Sequence, residues 1–410
     1  METGVDVVIV GAGIAGGALA TALSRRGISV LLLEKSWAHQ DRVRGEFLAP
    51  WGVDEACKLG VFDILMAAGG HYTRYSVPYG EGITPEAARA RILDLGKMVP
   101  GVPGALNLGH PRLCQALGDA AQAAGATLLR GVGDIEVTPG LRPTVTFSAD
   151  GRNHEITPRL VVGADGRGSS VARQIGLRAE TDLDHHLLAG LLVEGVETWP
   201  QDEFSIGTDG DVMFFVFPQG GGRLRLYLGY GLDQSRRFSG AGNVQRFLDA
   251  FRLPSLPHSE LLSTAHAIGP CHGYPNADTW IGTPAVPGVV LIGDAAGHND
   301  PTIGQGLSIA FRDVRLVLEA LLDNAQWTSD AFIPYVEERR ERMRRLRFTA
   351  QQYAILRAEF TEAARARRRR VRERVAANPS VALPFLVAIK GPFGVPDQAF
   401  ESAAWNQLMN

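Results

Sequence analysis

Residues 6–34 leave this chain little choice of fold at its N-terminal end. A run of β-formers, Asp6-Val7-Val8-Ile9-Val10, enters the glycine turn Gly11-Ala12-Gly13-Ile14-Ala15-Gly16, and Ala18, Leu19, Ala22 and Leu23 then recur at helical spacing. The pattern is that of a strand–turn–helix unit. Gly11 permits the tight turn, Gly13 lets a pyrophosphate approach the backbone, and Gly16 lets the helix pack close to the strand. The free N–H groups and the dipole of the helix start attract a diphosphate. A second apolar run, Val30-Leu31-Leu32-Leu33, closes on Glu34, 18 residues past Gly16. An acid there accepts hydrogen bonds from ribose hydroxyls and repels a 2′-phosphate.

Two further strands end in Gly and Asp. Leu160-Val161-Val162 leads into Gly163-Ala164-Asp165-Gly166, and Val289-Val290-Leu291-Ile292 into Gly293-Asp294-Ala295-Ala296. Both read as buried strands that return to the first unit. Pro111 to Ala124 is an amphipathic helix with Leu113, Leu117 and Ala121 on one stripe, and residues 127–147 hold the strands of a meander. From Thr302 to about Asn324, Leu307, Phe311, Val314 and Leu318 keep helical period. Residues 180–275 differ in kind. Ala189–Val193, Val212–Phe217 and Leu224–Leu228 are β-runs separated by Gly and Pro turns. The expected architecture is α/β: a Rossmann-like dinucleotide-binding domain (1–75, 101–180 and 276–330), an inserted antiparallel β-sheet substrate domain (76–100 and 181–275), and a C-terminal helical segment (331–410).

Composition excludes several classes. With 410 residues and 45% hydrophobic content the chain can bury a large core, and a net charge of −3 gives no overall pull toward nucleic acid or anionic membrane. Cys57, Cys114 and Cys271 are too few and too far apart for a disulfide framework or a metal site. They suit a reducing, cytoplasmic setting as buried apolar fillers. The apolar stretch at 5–20 lacks a preceding basic segment, so it does not read as a signal peptide, and no uninterrupted apolar run approaches the ~20 residues of a membrane span. Residues 337–374 carry fourteen arginines, including Arg367-Arg368-Arg369-Arg370. Glu337, Glu338, Glu341, Glu359, Glu362 and Glu373 stand near them at helical spacing, so the segment reads as a solvated helix with its own ion pairs. Phe348, Ile355 and Phe360 are expected to face the protein.

The order GxGxxG, acidic residue, Arg42-Val43-Arg44-Gly45-Glu46, Asp165-Gly166, Gly293-Asp294 and Pro301-Thr302-Ile303-Gly304-Gln305-Gly306 resembles the FAD-dependent aromatic hydroxylases of the para-hydroxybenzoate hydroxylase type, the group A flavoprotein monooxygenases. The resemblance covers roughly residues 5–320. It implies non-covalent FAD, NAD(P)H as co-substrate, O2, and oxygen transfer to a small molecule through a flavin C4a-hydroperoxide. In that family the segment matching Gly293-Asp294 meets the ribitol and pyrophosphate, and a carboxylate there can accept a ribitol hydroxyl. The match to Asp165 handles FAD and NAD(P)H, although Asp165 could equally cap the helix that starts near Ser169. Arg42 and Arg44 match a segment with an arginine beside the pyrophosphate and flavin; Arg44 is the stronger candidate, since a guanidinium fork suits phosphate oxygens. Arg112 matches another arginine near the cofactor. Pro301, Thr302, Gly304 and Gly306 would lie along the flavin edge, where a helix start can stabilise the charge of reduced flavin. The family often has His directly after the Ala-Ala pair; here Gly297 stands there and His298 follows, which leaves a proton-transfer role for His298 open.

No second GxGxxG, GxSxG, HExxH or P-loop occurs, and the tryptophan–isoleucine–proline signature of flavin-dependent halogenases is missing. The substrate face is expected on alternate residues of the sheet, Met213, Phe215, Phe217, Arg225 and Tyr227, above Pro301-Thr302. So apolar a face suggests a bulky aromatic or polyketide-like substrate. Two alternatives stand beside monooxygenation: a flavin-dependent reductase or desaturase of the geranylgeranyl reductase type, and a non-catalytic flavoprotein that binds a partner through the arginine-rich helix.

Overall fold

A computed structural model describes residues 4–43 and 45–409. Its first sheet runs in the order Ala285–Val286, Val289–Leu291, Leu160–Gly163, Val7–Val10, Val30–Glu34, Thr127–Arg130. All pairings are parallel except the hairpin formed by the first two strands. Both faces of this sheet are covered at its centre, which is why residues 7–10, 30–33, 160–162 and 289–291 are buried Val/Leu/Ile runs with no polar alternation, whereas the edge strand Thr127–Arg130 is partly exposed. Helices Ile14–Ser24, His110–Ala123 and Gly306–Asp323 pack on one face around Leu19, Leu117 and Phe311. On the other face lies the meander Gly133–Thr138, Thr144–Ala149, Arg152–Ile156, with Val137, Val145 and Phe147 turned inward.

The larger sheet has eight strands. Its path is His266–Ala267, His186–Glu194, Leu224–Tyr230, Val212–Pro218, Glu203–Asp209, Tyr75–Pro78, Leu93–Asp94, and His272–Asn276 also pairs with His186–Glu194. The pairing is antiparallel with one departure: Glu203–Asp209 runs parallel to Tyr75–Pro78. Alternation along the strands sorts side chains between two cores. Phe214, Val216, Leu226 and Leu228 face an outer layer built on Phe238, Phe247 and Phe251. Met213, Phe215, Phe217 and Tyr227 face inward, with Val43 and Phe47.

The C-terminal segment is helical, as its pattern implies, but it breaks. Helix Ile333–Arg357 ends, and Thr361 caps a second helix, Glu362–Ala377, by accepting from the Ala364 N–H at 3.2 Å. Phe348 and Phe360 are partly buried against the protein as expected, and Ile355 is half-buried. The chain then folds back through Pro379–Leu386 and Val387–Lys390 to a last helix, Ser402–Met409. Tyr353, Leu356, Phe400 and Trp405 pack there with Ile303 and Ile309 of the Pro301 segment. Two expectations need correction. The long helix starts at Gly306, after a separate 3-10 turn at Pro301–Ile303, because Gly304 takes a left-handed conformation (φ +64°) between them. Cys57 is exposed, unlike Cys114 and Cys271. Among the described residues no helix is long and apolar enough to cross a membrane.

Candidate active site

The ends of the three Gly-bearing strands converge. Gly11 (φ +104°) lies so close to the Asp165 loop that a Cβ would fall 2.5 Å from the Ala164 carbonyl oxygen. A Cβ at Gly16 would collide with the Gly11 carbonyl, so Gly16 serves helix packing and does not line the cavity. Gly13 is different. A Cβ there meets no protein atom within 4 Å, and the residue opens onto the cavity. The space beside the helix start is thus left free for a ligand, as a pyrophosphate needs. Glu34 sits at the rim of the same cavity and accepts the Ala12 N–H (2.8 Å) and the Ser36 N–H (2.9 Å), so its carboxylate also shapes the turn.

Asp165 and Asp294 divide their work. Asp165 accepts from Ser169 Oγ (2.5 Å), from Ser170 N (2.7 Å) and Oγ (2.9 Å), and from Val171 N (3.2 Å), so it ties down the start of helix Ser170–Gln174. Asp294 is one-third exposed to the cavity and takes a single long bond from Arg167 Nε at 3.3 Å. Its carboxylate retains acceptor capacity toward a ligand. Beneath it, the Gly293 N–H donates to the fully buried Asp313 (2.8 Å). Arg342 and Arg339 of the arginine-rich helix also reach Asp313, at 2.6 and 3.1 Å. Arg339 further donates to the carbonyls of Gly293, Ala296 and Gly297. Both arginines are at most 2% exposed, which corrects the expectation of a solvated face: they clamp the Asp294 turn.

Pro301, Thr302, Gly304 and Gly306 all line the cavity at the start of the long helix. The turn is fixed from below. Asp300 accepts from Thr302 N (2.8 Å) and Oγ1 (2.5 Å), and Thr302 Oγ1 lies 3.1 Å from His186 Nε2. Burial holds the His186 imidazole below its ordinary pKa, against the pull of Asp300. Gln305 joins this segment to both ends of the chain: it accepts from Trp51 Nε1 (2.8 Å) and donates to the Ala388 carbonyl (3.0 Å). A Cβ on Gly304 would meet Phe47 at 2.8 Å.

A single cavity of about 1520 Å³ extends from this cradle across the inner face of the larger sheet. Phe215, Phe217 and Tyr227 line it as the alternation predicts, joined by Leu188, Phe204 and Ile206. Met213 and Arg225 lie on the same side but do not line it. Met213 is wholly buried in the core beneath. Arg225 is 1% exposed and donates to Glu46 and Asp41, both at 2.6 Å. Glu46 does line the cavity, holds the Tyr227 hydroxyl at 2.6 Å, and has its carboxyl pushed up by burial, with Arg225 and Tyr227 opposing. The buried Arg225 therefore acts through Glu46 on the cavity wall. Arg42 lines the cofactor end. Arg44 lies outside the described residues. Arg112 is exposed and packs beside Gly69, away from the cavity, whereas His110, two residues earlier, lines it. His298 is also off the cavity, with Nδ1 2.8 Å from Thr279 Oγ1, so the geometry gives it no access to a ligand there. The wall contributed by residues 353–389 has no sequence signature; it includes Tyr353, Phe385 and Ile389.

A glycine cradle at a helix start, an acid at the second strand, an acid-bearing turn under a third strand and a helix N-terminus facing an apolar chamber define a flavin-binding oxidoreductase scaffold. The open space at Gly13, the free acceptor capacity of Asp294 and the elongated cavity fit FAD. The chain belongs to the FAD binding domain family, whose model matches residues 4–349. It is 29% identical over 328 residues to squalene epoxidase erg1 of Aspergillus fumigatus, covering 75% of this chain and 64% of that protein. It is 28% identical over 356 residues to 3-demethoxyubiquinol 3-hydroxylase of Escherichia coli, covering 83% and 85%. It is 26% identical over 336 residues to digeranylgeranylglycerophospholipid reductase of Methanosarcina mazei, covering 78% and 75%. The chain spans less than two thirds of the length of some of these relatives, the squalene epoxidases among them. In fold it is similar to p-nitrophenol 4-monooxygenase of Pseudomonas putida DLL-E4, with TM-score 0.81 and 19% identity over 96% of this chain and 99% of the other. A flavin-dependent halogenase also shares the fold, with TM-score 0.75 and 16% identity over 100% of this chain and 77% of the other.

Proposed function

We propose that this protein is an FAD-dependent monooxygenase that uses NAD(P)H and O2 to hydroxylate or epoxidise a bulky, largely apolar small molecule. The observation that carries this reading is the continuity of the cavity: one chamber joins the dinucleotide cradle to an aromatic floor, with no wall between them. Bound FAD would supply the electron transfer and the oxygen activation. The chain's own residues would bind, orient and exclude water. Gly11, Gly13, Glu34, Arg42, Asp165, Gly293 and Asp294 would hold the dinucleotide. Gly304 and Gly306, with Pro301 and Thr302, would present backbone N–H groups and the helix dipole to the flavin edge. Phe204, Phe215, Phe217 and Tyr227 would hold the substrate over it. Relatives are named for squalene and for 6-methylpretetramide, both large molecules, and this supports the size class.

The test is a screen of NAD(P)H oxidation and O2 uptake by the FAD-loaded protein against bulky aromatic and isoprenoid compounds. Isotopically labelled O2 should place one oxygen atom in the product. The digeranylgeranylglycerophospholipid reductase among the relatives keeps a second reading in view, double-bond reduction in the same chamber. A product that has lost a double bond and carries no label would establish that reading and overturn the first.

A further inference from the structure

Charge is balanced at one end of the cavity and one-sided at the other. Its lining acids, Glu34, Glu46, Asp165 and Asp294, all belong to the cofactor cradle or to the wall beside Tyr227, where Lys35, Arg42, Arg167 and Arg173 also line it. From there the floor crosses the sheet from Tyr227 through Phe215, Ile206 and Pro78 to the edge strand Leu93–Asp94. At that far end the charged lining residues are Arg91, Arg357, Arg368 and Arg372. They arrive from three separate elements: the turn after helix Pro85–Arg89, the end of helix Ile333–Arg357, and helix Glu362–Ala377.

Arg91 is exposed, and the other three arginines are under-compensated. Arg357 makes no side-chain hydrogen bond or ion pair among the described residues; its Nε is buried without a partner, and its guanidinium stands 5.3 Å from the Tyr353 ring centroid. Arg368 is 8% exposed and spends Nη1 on the carbonyls of Leu356 (3.3 Å) and Glu359 (2.7 Å), which leaves Nη2 buried and unbonded. The nearest acid, Glu81, is 4.0 Å from that Nη2 and is shared with Arg365 (3.3 Å) and the Gly210 N–H (2.7 Å). Arg372 is half-buried and faces Arg91 and Arg369 as well as Glu373 and Glu81; burial first, then Arg91, lowers its pKa. A buried cation without a counter-charge is costly, and a ligand that brings the counter-charge removes that cost. Guanidinium forks match carboxylate and phosphate oxygens.

We propose that the sheet-edge end of the cavity is an anion pocket, formed by Arg91, Arg357, Arg368 and Arg372, that takes the acidic head group of an amphiphilic substrate. The apolar body would lie along Ile206, Phe215 and Tyr227, with its reacting end beside Pro301–Gly304. This deepens the monooxygenase reading and rests on it for the direction in which the substrate lies.

The test is calorimetric titration of the FAD-loaded protein with dodecanoate, dodecyl phosphate, dodecanol and dodecyltrimethylammonium. At least one anionic amphiphile should bind roughly tenfold or more tightly than the alcohol, and the cation worst. The tighter of the two anions identifies the head group as carboxylate or phosphate. Arg357→Gln and Arg372→Gln should each shrink the preference while keeping FAD occupancy, and Arg357→Lys should retain part of it. Equal binding of anion and alcohol, no binding by any probe, or an undiminished preference in both Gln variants overturns the proposal. So does a loss of NADPH affinity in those variants with the amphiphile preference intact, since the arginines would then serve the nicotinamide cofactor. The titrations involve no turnover. A protein that prefers the anionic amphiphiles yet oxygenates nothing removes the monooxygenase reading and leaves the anion pocket standing.

Discussion

Gly13 and the two loop aspartates show how one residue's neighbours decide its role. At Gly13 an added Cβ meets no protein atom within 4 Å and would stand on the cavity side, in the space left for the pyrophosphate. Gly13→Val should therefore leave the apoprotein folded, with its melting temperature little changed, while FAD titration shows strongly reduced occupancy. Full occupancy in that variant would remove the phosphate site from this turn. Asp165 and Asp294 look alike in sequence, each at the end of a strand after glycine. Asp165 spends both oxygens on the Ser170 helix, whereas Asp294 keeps capacity toward the cavity. Asp165→Ala should cost about 0.5–2 kcal/mol of stability as a lost helix cap. Asp294→Ala should weaken FAD binding more than Asp165→Ala does. Paired denaturation and cofactor titrations would expose a reversed order.

Among the elements, the helix Ile333–Arg357 carries the largest departure from its own pattern. Its charge spacing predicts a solvated face, and Arg344 and Arg345 do pair with Glu341 at i+3 and i+4. Arg342 also pairs with Glu338 at i−4 as the spacing predicts, yet it and Arg339 are buried against Asp313, which lies on another helix. No local rule reveals that partner. Asp313→Ala would leave Arg342 with Glu338 (3.0 Å) as its one acid and Arg339 with backbone carbonyls alone, and would deprive the Gly293 N–H of its acceptor. Removal of one member of such a pair costs about 3–5 kcal/mol. Urea unfolding should show a loss of that order, and FAD affinity should fall with it because the Asp294 turn loses its support. A variant with unchanged stability would mean that solvent reaches Asp313 and its arginines.

At the scale of the whole molecule, stability should carry the mark of a buried acid beside the Pro301 segment. Asp278 accepts from Asn299 Nδ2 and from the Asp300 N–H, and burial pushes its carboxyl up to about 7, with Asp300 adding to the rise. A carboxyl whose folded pKa is raised binds its proton more tightly in the folded state. Its favourable contribution is present at acid pH, declines as pH rises above the ordinary carboxylate value of 3.8, and is gone above about 7. Asp278→Asn keeps both acceptor bonds without the charge. The variant should lose less stability than the parent between pH 4 and 7, as read from denaturant midpoints across that range (roughly the interval between the two pKa values). Parallel curves for the two proteins would mean that Asp278 ionises freely.

The cofactor half of the site was legible from the chain because each of its demands is met within a few residues: a turn that needs glycine, a helix start, an acid at a strand end. Local geometry specifies such units and marks Gly11, Gly13 and Glu34; Asp294 and the Pro301–Gly306 segment are marked by the family resemblance, and Gly11, Gly13, Glu34, Asp294, Pro301, Thr302, Gly304 and Gly306 all line the cavity. Strand alternation likewise placed Phe215, Phe217 and Tyr227 on the inner face. It could not separate Met213 and Arg225, on that same face, from the cavity wall, since parity assigns a side and not a depth. Arg112 and His298 stand in suggestive places along the chain, and only packing turned them away from the cavity. The partners that decide the rest are far apart in sequence. Arg225 meets Glu46, Arg339 meets Asp313, and the chamber's far wall comes from residues 353–389. Short-range patterns express what a backbone segment can do by itself; which buried charge finds which partner, and what closes the cavity, are settled when distant elements compete for the same interior space.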